Sequence, residues 1–233
     1  TPQGGPLSPL LSNIMLNELD KELERRGLPF VRYADDSMIF CRSKRAAMRV
    51  KESITRFIEN TLYLKVNKEK TVVSYVRGVK YLGYSFYVMK GKCQLMVHPK
   101  SKAKMKSKLK ELTSRSNGWG YSKRKQKLKE YIEGWVGYYH LANMKRLLLD
   151  TDEWLRRRIR MCIWKAWKKA KTKVANLIIC GINKYQAYEW GNTRKGYWRI
   201  ADSPILKRAI DNNKLRSAGY ATLMEAYLEW YPK

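Results

Sequence analysis

The sequence has no long apolar run, few cysteines and histidines, and few acidic residues for its size. Its apolar stretch at residues 177–182 is far shorter than the roughly 20 residues that a membrane-spanning helix needs. No basic region precedes an apolar segment at the N-terminus, so we expect no signal peptide there. The composition therefore predicts a protein that does not enter a membrane.

The four cysteines and two histidines do not have the spacing of a structural zinc site. The cysteines lie far apart, at Cys41, Cys93, Cys162 and Cys180. Zinc sites usually pair cysteines a few residues apart, and no such pair is present. We therefore expect free thiols in a reducing compartment.

The shortage of acidic residues dominates the charge. Against 49 Lys and Arg there are 20 Asp and Glu, a formal net charge of +29. A compact chain with this charge repels itself unless a polyanion neutralises it. Nucleic acid is the first candidate partner and an anionic membrane surface is the second. Residues 1–100 hold 18 basic against 9 acidic residues, whereas residues 101–233 hold 31 against 11, so the second part carries most of the excess.

With 44% hydrophobic residues, the 233-residue chain has enough apolar surface for a core in one large or two small domains. The spacing of apolar residues predicts an α+β part over residues 1–98 and an all-α bundle over residues 99–233. In the first part we predict helices near residues 6–26 and 44–62, a hairpin at 30–42, and strands at 71–75 and 80–88. In the second part, three longer helices are predicted from apolar positions within residues 105–112, 128–139 and 147–167.

Two adjacent acids, Asp35 and Asp36, interrupt the predicted hairpin. Carboxylates held on a rigid hairpin can bind Mg²⁺, which prefers hard oxygen ligands. Asp is also a common turn residue, and the dipeptide alone favours an ordinary solvated turn. The neighbouring sequence decides between these two interpretations.

Four blocks, in the same order as in reverse transcriptases, surround and include this dipeptide. They are QGGPLSPLLSN at residues 3–13, YADD at residues 33–36, LKVNKEKT at residues 64–71 and VKYLGY at residues 79–84. They resemble the QG-x-x-x-SP-x-L block, the YxDD motif, the L-x-x-N-x-x-K-T block and the primer-grip hairpin of that class. Further blocks at residues 131–139, 152–160, 164–168, 192–199 and 203–206 resemble the maturase-specific domain of bacterial group II intron proteins.

This resemblance implies the second half of a reverse-transcriptase palm, an antiparallel sheet with helices, followed by a helical thumb or maturase domain. It implies an RNA-directed DNA polymerase and maturase in a bacterial cytoplasmic ribonucleoprotein, acting on group II intron RNA, an RNA template, a DNA primer and dNTPs. Asp35 and Asp36 become the catalytic carboxylates, which bind two Mg²⁺ ions in the complete enzyme. The resemblance assigns nucleotide and template binding to Gln3, Gly4, Tyr33 and Lys70. It assigns the primer grip to Leu82, Gly83 and Tyr84.

For Lys70, a solvated lysine with no role in binding is as good an interpretation as a contact with the triphosphate. For the segment 82–84, a simple hairpin is nearly as good an interpretation as a primer grip. Reverse transcriptases also supply a metal-binding Asp from a block upstream of the one at residues 3–13. We therefore expect that this polypeptide alone lacks polymerase activity, and that a palm cut across its sheet self-associates. The alternative function is a maturase that binds RNA and promotes splicing without polymerisation.

The second part carries the residues that we expect to contact RNA. Three basic runs, at residues 102–110, 123–129 and 156–160, suit a phosphate backbone, although a single run is more often a solvated face. The aromatic residues between them can stack on unpaired bases. The predicted RNA-binding residues are Lys123, Arg124, Arg156, Arg157, Arg158, Arg160, Arg194, Lys195 and Trp198. We expect Trp135, Trp154 and Trp164 to pack in the core instead.

Overall fold

The computed structural model describes residue 5 and residues 7–231. Gln3 and Gly4, which the sequence assigns to template and nucleotide binding, lie outside these described residues. The chain divides between Cys93 and Gln94 into two units, each with its own internal packing.

The first unit alternates helices and short strands. In chain order its elements are α1 (Ser8–Arg25), β1 (Phe30–Tyr33), β2 (Asp36–Ile39), α2 (Lys44–Asn60), a 3₁₀-helix (Val76–Gly78), β3 (Lys80–Tyr81) and β4 (Tyr84–Met89). Strands β1 and β2 form an antiparallel hairpin. Strand β3 pairs antiparallel with β4, and β5 (Lys92–Val97) completes a three-stranded sheet in the order β3-β4-β5.

A small apolar core holds the acidic hairpin against the two long helices. Leu19 and Leu23 of α1 are buried with Ile54 of α2. From the hairpin, Phe30 and Ile39 pack on this cluster, and they lie directly opposite each other in the β1–β2 register. The base of the hairpin is therefore anchored on the helices.

The predicted strand at residues 71–75 is wrong. Residues 71–75 form no strand, and Val72 and Tyr75 are 70% and 80% exposed. β-Branched residues favour a strand only where a neighbouring strand can pair and pack with them, and here no such ladder forms. The predicted strand at 80–88 is interrupted by a two-residue turn at Leu82 and Gly83, whose φ angles are +49° and +80°.

The second unit is helical after the end of β5. It contains three long helices, α3 (Pro99–Leu112), α4 (Tyr121–Tyr139) and α5 (Lys145–Ala166). The helices that follow are shorter: α6 (Ala170–Ile179), α7 (Lys184–Gly191), α8 (Tyr197–Ile200), α9 (Pro204–Ala209), α10 (Asn212–Ser217) and α11 (Leu223–Leu228). None of the helices described is both long and apolar enough to cross a membrane.

Apolar residues at helical spacing form the core of the second unit, as the periodicity predicts. Fully buried leucine, isoleucine, valine and methionine side chains come from α3, α4 and α5: Met105, Leu109, Leu128, Ile132, Val136, Leu148 and Leu155. Trp164 is also buried, whereas Trp135 and Trp154 are half-buried. The mixed first unit and helical second unit confirm the α+β class with a helical bundle.

Asp152 of α5 holds α11 in place from inside the second unit. Its carboxylate oxygens each accept a 2.9 Å hydrogen bond, one from the Leu223 amide and one from the Met224 amide, in the first turn of α11. Those amides have no partner within their own helix, so the buried carboxylate satisfies them. Burial raises the pKa of Asp152 above its ordinary value, and the two amide bonds oppose that rise.

Candidate functional site

The two acids lie at the tip of the β1–β2 hairpin. Tyr33 pairs with Asp36 across the strands, so Ala34 and Asp35 form a two-residue turn and Asp36 begins β2. Ala34 has a φ of +52°, the left-handed conformation that tight hairpin turns use. Both carboxylates are exposed, and neither has a hydrogen bond or ion pair with the described part of the chain. They are free to bind a cation.

Arg32 fixes this turn to helix α1. Its guanidinium donates to both carboxylate oxygens of Asp20, at 2.8 and 2.5 Å, and to Asn13 Oδ1 at 3.0 Å. It also donates to the carbonyl oxygen of Ala34 in the turn, at 2.9 Å. The hydrogen bonds to Asp20 raise the pKa of Arg32. Sequence reasoning missed this anchor, although an arginine inside an apolar strand was a signal that a partner must lie nearby.

The β3–β4 hairpin reaches the acidic turn through Tyr81. Its hydroxyl donates to the carbonyl oxygen of Asp36 at 3.5 Å. Burial raises the pKa of Tyr81, and the negative charge of Asp36 raises it further. Tyr84 pairs with Tyr81, and Leu82 and Gly83 form the turn between them. The hairpin that includes the segment resembling a primer grip therefore contacts the backbone of the acidic turn through Tyr81.

Tyr33 and Lys70 are exposed side chains in the same unit. Tyr33 is 64% exposed at the end of β1. The backbone amide of Lys70 donates to Asn67 Oδ1 at 3.1 Å, which shapes the loop after α2, while the lysine side chain points to solvent. The structure gives the Lys70 ammonium no ion pair with a described carboxylate, so its position near a triphosphate stays a prediction.

The oxygen donors at the hairpin tip fit a hard divalent cation. Asp35 and Asp36 offer carboxylate oxygens only, which Mg²⁺ and similar ions prefer over softer metals. Within residues 5 and 7–231, no group of three His, Cys, Asp or Glu side chains forms a ready-made metal cage. Two carboxylates match the way Mg²⁺ binds in phosphoryl-transfer sites, where water and substrate phosphates supply the remaining ligands.

Several basic side chains of the second unit bind the carbonyl oxygens at helix C-termini. Arg158 donates to the Lys110 and Thr113 carbonyls at the end of α3, both at 3.0 Å, and Arg160 donates to the Ile210 carbonyl after α9 at 2.7 Å. Those carbonyls lack partners within their own helices, and a cation at a helix C-terminus also interacts favourably with the negative end of the helix dipole. The dense arginine run at residues 156–160 is therefore in part a set of internal caps.

Burial corrects two of the predicted RNA-binding residues. Arg160 is 6% exposed, and its second contact is Asn212 Oδ1 at 2.9 Å. Arg124 is 5% exposed and donates to Asn117 Oδ1 at 3.1 Å. Arg158 is half-buried, and burial lowers its pKa. The guanidinium groups of Arg124 and Arg160 are held inside the fold and cannot reach a phosphate, so we remove these two residues from the proposed RNA surface. Arg158 is half-buried, as Arg156 and Arg157 are, and stays among the predicted residues.

Arg157 and Trp198 form a stacked pair at the surface. The Arg157 guanidinium carbon lies 3.9 Å from the centre of the Trp198 ring, and its Nε and Nη2 donate to the Trp198 carbonyl oxygen at 3.2 and 2.9 Å. Its Nη1 lies 3.2 Å from a carboxylate oxygen of Asp202. Helix α8 thereby places the Trp198 indole under the guanidinium of Arg157 from α5.

Other cation–aromatic pairs occur in the same unit. Arg115 lies 5.0 Å from the centre of the Tyr197 ring. The predicted residues Lys123 and Lys195 lie over tryptophan rings, at 5.5 and 4.8 Å respectively. Arg194 is exposed, and Arg156 is half-buried near Asp152. On α3, the lysine run is mostly exposed on the side away from the core.

Comparisons with known proteins match both units. A model of the reverse transcriptase (RNA-dependent DNA polymerase) family matches residues 1–86. A model of the group II intron maturase-specific domain matches residues 102–178. The first match includes Asp35, Asp36 and the β3–β4 turn, and the second includes α3, α4 and α5.

Three curated relatives are similar to parts of the chain. Protein YkfC of Escherichia coli strain K12 is 30% identical over 36% of this chain and 31% of its own length. Group II intron-encoded protein LtrA of Lactococcus lactis subsp. cremoris is 28% identical over 38% of this chain and 26% of its own length. The retron Ec86 reverse transcriptase of E. coli is 32% identical over 31% of this chain and 24% of its own length. The chain spans less than a third of each of these relatives. The two domain matches in sequence, together with these relatives, show that the chain belongs to the reverse transcriptase/maturase family encoded by group II introns.

Proposed function

We propose that this protein acts in RNA-directed DNA synthesis, with Asp35 and Asp36 as the carboxylates that bind the catalytic metal. The observation that carries this proposal is the free acidic turn, which Arg32 fixes to α1 and Tyr81 contacts from the β3–β4 hairpin. Two unpaired carboxylates in a strongly basic chain would repel nucleic acid unless a cation lay between them.

Mg²⁺ is the proposed metal, with two ions in the complete enzyme. Bound there, Mg²⁺ would activate a primer 3′-hydroxyl and stabilise the leaving pyrophosphate. Asp35 and Asp36 would hold the metal, while Arg32 keeps the turn from moving away. Divalent metals are general in this family, and the oxygen-only donor set supports Mg²⁺ over softer ions.

The remaining first-unit residues take substrate roles in this proposal. Tyr33, exposed beside Asp36, would contact the incoming dNTP or the primer end. Gln3 and Gly4 would lie against the template, and Lys70 would neutralise triphosphate charge. Leu82, Gly83 and Tyr84 would hold the primer near the metal, an assignment supported by the Tyr81–Asp36 contact.

The second unit is the proposed binding surface for group II intron RNA. Its exposed cations and cation–aromatic pairs, rather than its buried arginines, would contact the RNA. The predicted residues that remain on this surface are Lys123, Arg156, Arg157, Arg158, Arg194, Lys195 and Trp198. A maturase that only binds RNA is the second candidate function, and the match of the maturase-specific domain to residues 102–178 favours it.

The proposal also includes self-association of the chain through the first unit. Exposed apolar residues of α1 support it, since Leu10 and Ile14 are 57% and 60% exposed.

The decisive experiment separates these functions at the carboxylates. Mn²⁺ binding to the whole chain is measured by electron paramagnetic resonance for wild type, for the Asp35→Asn/Asp36→Asn variant and for Glu24→Gln as the matched control. We expect the double variant alone to lose a bound ion, and Mg²⁺-dependent primer extension, wherever it is observed, to disappear with it. Equal Mn²⁺ binding by wild type and the double variant would refute a metal site here and favour the RNA-binding maturase.

A further inference from the structure

Trp198 is held in one orientation by contacts that leave part of its ring in solvent. Two hydrogen bonds tie its carbonyl to Arg157, and the same guanidinium stacks on its ring at 3.9 Å. The residue is nevertheless 39% exposed. The guanidinium covers one side of the indole, so the remaining exposed surface of the ring is available to a ligand.

Arg157 is itself fixed, so the pair is organised before any ligand arrives. Asp202 forms ion pairs with two cations: its Oδ2 lies 3.2 Å from Arg157 Nη1, and its Oδ1 lies 2.8 Å from Lys207 Nζ. The neighbouring cations lower the pKa of Asp202, led by its hydrogen bond with Lys207. Asp202 therefore stays ionised and keeps the guanidinium against the indole, and little side-chain freedom remains to be lost on binding.

The surroundings of the ring carry the charge that a polynucleotide backbone requires. Arg194, Lys195 and Arg199 flank Trp198 in sequence and are all exposed. Tyr197, 36% exposed, presents a second ring with Arg115 over it. The nearby acid, Asp202, is already neutralised by two cations. An anionic ligand with a flat aromatic group fits this combination.

We propose that the Trp198–Arg157 pair binds an unpaired base of the RNA, with Arg194, Lys195 and Arg199 on the adjacent phosphates. The inference rests on the proposed RNA binding of the second unit and specifies its ligand. A base inside a duplex is already stacked on both sides, so only a base in a loop, bulge or single strand can use the indole. Duplex RNA would bind the basic surface through its phosphates alone.

Two RNA probes test this inference on the whole chain. One is a single-stranded RNA containing 2-aminopurine, and the other is the same sequence in a duplex closed at both ends by non-nucleotide linkers. We expect Trp198→Leu to weaken single-strand binding by about tenfold, within the range for loss of one stacked base. Duplex binding should stay unchanged, Trp198→Phe should recover part of the loss, and the exposed-ring control Tyr185→Leu should bind both probes like wild type.

The outcomes separate the inference from the function on which it rests. If wild type binds neither probe, the proposed RNA surface fails. If wild type binds both and Trp198→Leu weakens them equally or not at all, the base-stacking site fails while RNA binding stands. Should Trp198→Leu not fold, cross-linking of wild type to 4-thiouridine RNA decides, because the adduct must fall in the tryptic peptide of residues 196–199. Adducts confined to other peptides would overturn the proposal.

Discussion

Replacing Arg32 with Met tests whether the acidic turn depends on its anchor in α1. The side chains of Arg32 and Asp20 are only 13% and 21% exposed, and the guanidinium makes four hydrogen bonds, one of them to the turn carbonyl of Ala34. Exposed ion pairs contribute about 0–1 kcal/mol, whereas breaking one partner of a fully buried pair costs about 3–5 kcal/mol. For this partly buried pair we expect a loss of about 2 kcal/mol in the stability of the hairpin.

The effect on the hairpin is measured by native-state amide hydrogen exchange of the β2 amides, because the chain has two units and global unfolding need not be two-state. Lys21→Met is the control, since it removes an α1 ion pair whose side chains are 62% and 56% exposed. We expect that control to change stability by under about 0.5 kcal/mol. Combining Arg32→Met with Asp20→Asn should cost less than the two single changes added together.

Two results would refute this reasoning. One is β2 exchange in Arg32→Met within about 0.5 kcal/mol of wild type, since an anchored turn must loosen when its anchor is removed. The other is strict additivity of Arg32→Met and Asp20→Asn, which would show that the two side chains do not stabilise each other. With the anchor removed, Mn²⁺ affinity at the acidic turn should also fall.

Three further predictions concern the second unit. Gly191→Ala should lower the free energy of unfolding by about 1–3 kcal/mol in thermal unfolding, because the added Cβ would lie 2.5 Å from Val174 Cγ2. The control Gly134→Ala, whose Cβ meets nothing within 4 Å, should be neutral or stabilising. Equal melting temperatures for the two variants would contradict this prediction. Because the folded-state pKa of Asp152 is raised, its contribution to stability is largest at low pH and is lost as pH rises from its ordinary value of 3.8 through the raised value, so Asp152→Asn should lack this part of the pH dependence in denaturation series. Lys106→Ala should lower the slope of log binding constant against log salt concentration by roughly 0.7–0.9, measured by filter binding, without loss of stability. Arg160→Ala should instead lower the melting temperature, because it removes an internal cap. The opposite pattern in the two measurements would be evidence against the internal caps.

Local sequence patterns predicted the hairpin well, because the information for it is local. Apolar residues on both sides of Tyr33-Ala34-Asp35-Asp36 fix two short strands, and the register then places both acids at the tip. The same patterns predicted a strand at residues 71–75, which the structure does not form. Strand propensity there depends on a partner, and no local signal reveals whether one is present.

The roles of the individual arginines at residues 156–160 could not be predicted from the sequence. Composition could not distinguish Arg157, whose ring contact lies at the surface, from Arg160, which is 6% exposed and caps α9. Both lie on α5, three residues apart, with similar neighbours in sequence. Their roles depend on which helix ends α5 meets, a fact that arises only from the packing of distant segments.

The sign of the charge, the two-part organisation and the acidic pair at a hairpin tip follow from residue type and short-range periodicity. Which cations face outward depends on how distant segments pack. Carbonyls at helix C-termini, which have no partner within their own helices, accept hydrogen bonds from Arg158 and Arg160, and these contacts hold the two guanidinium groups against the fold. The same packing turned Arg157 and Trp198 into a stacked surface pair, which no spacing in the sequence reveals.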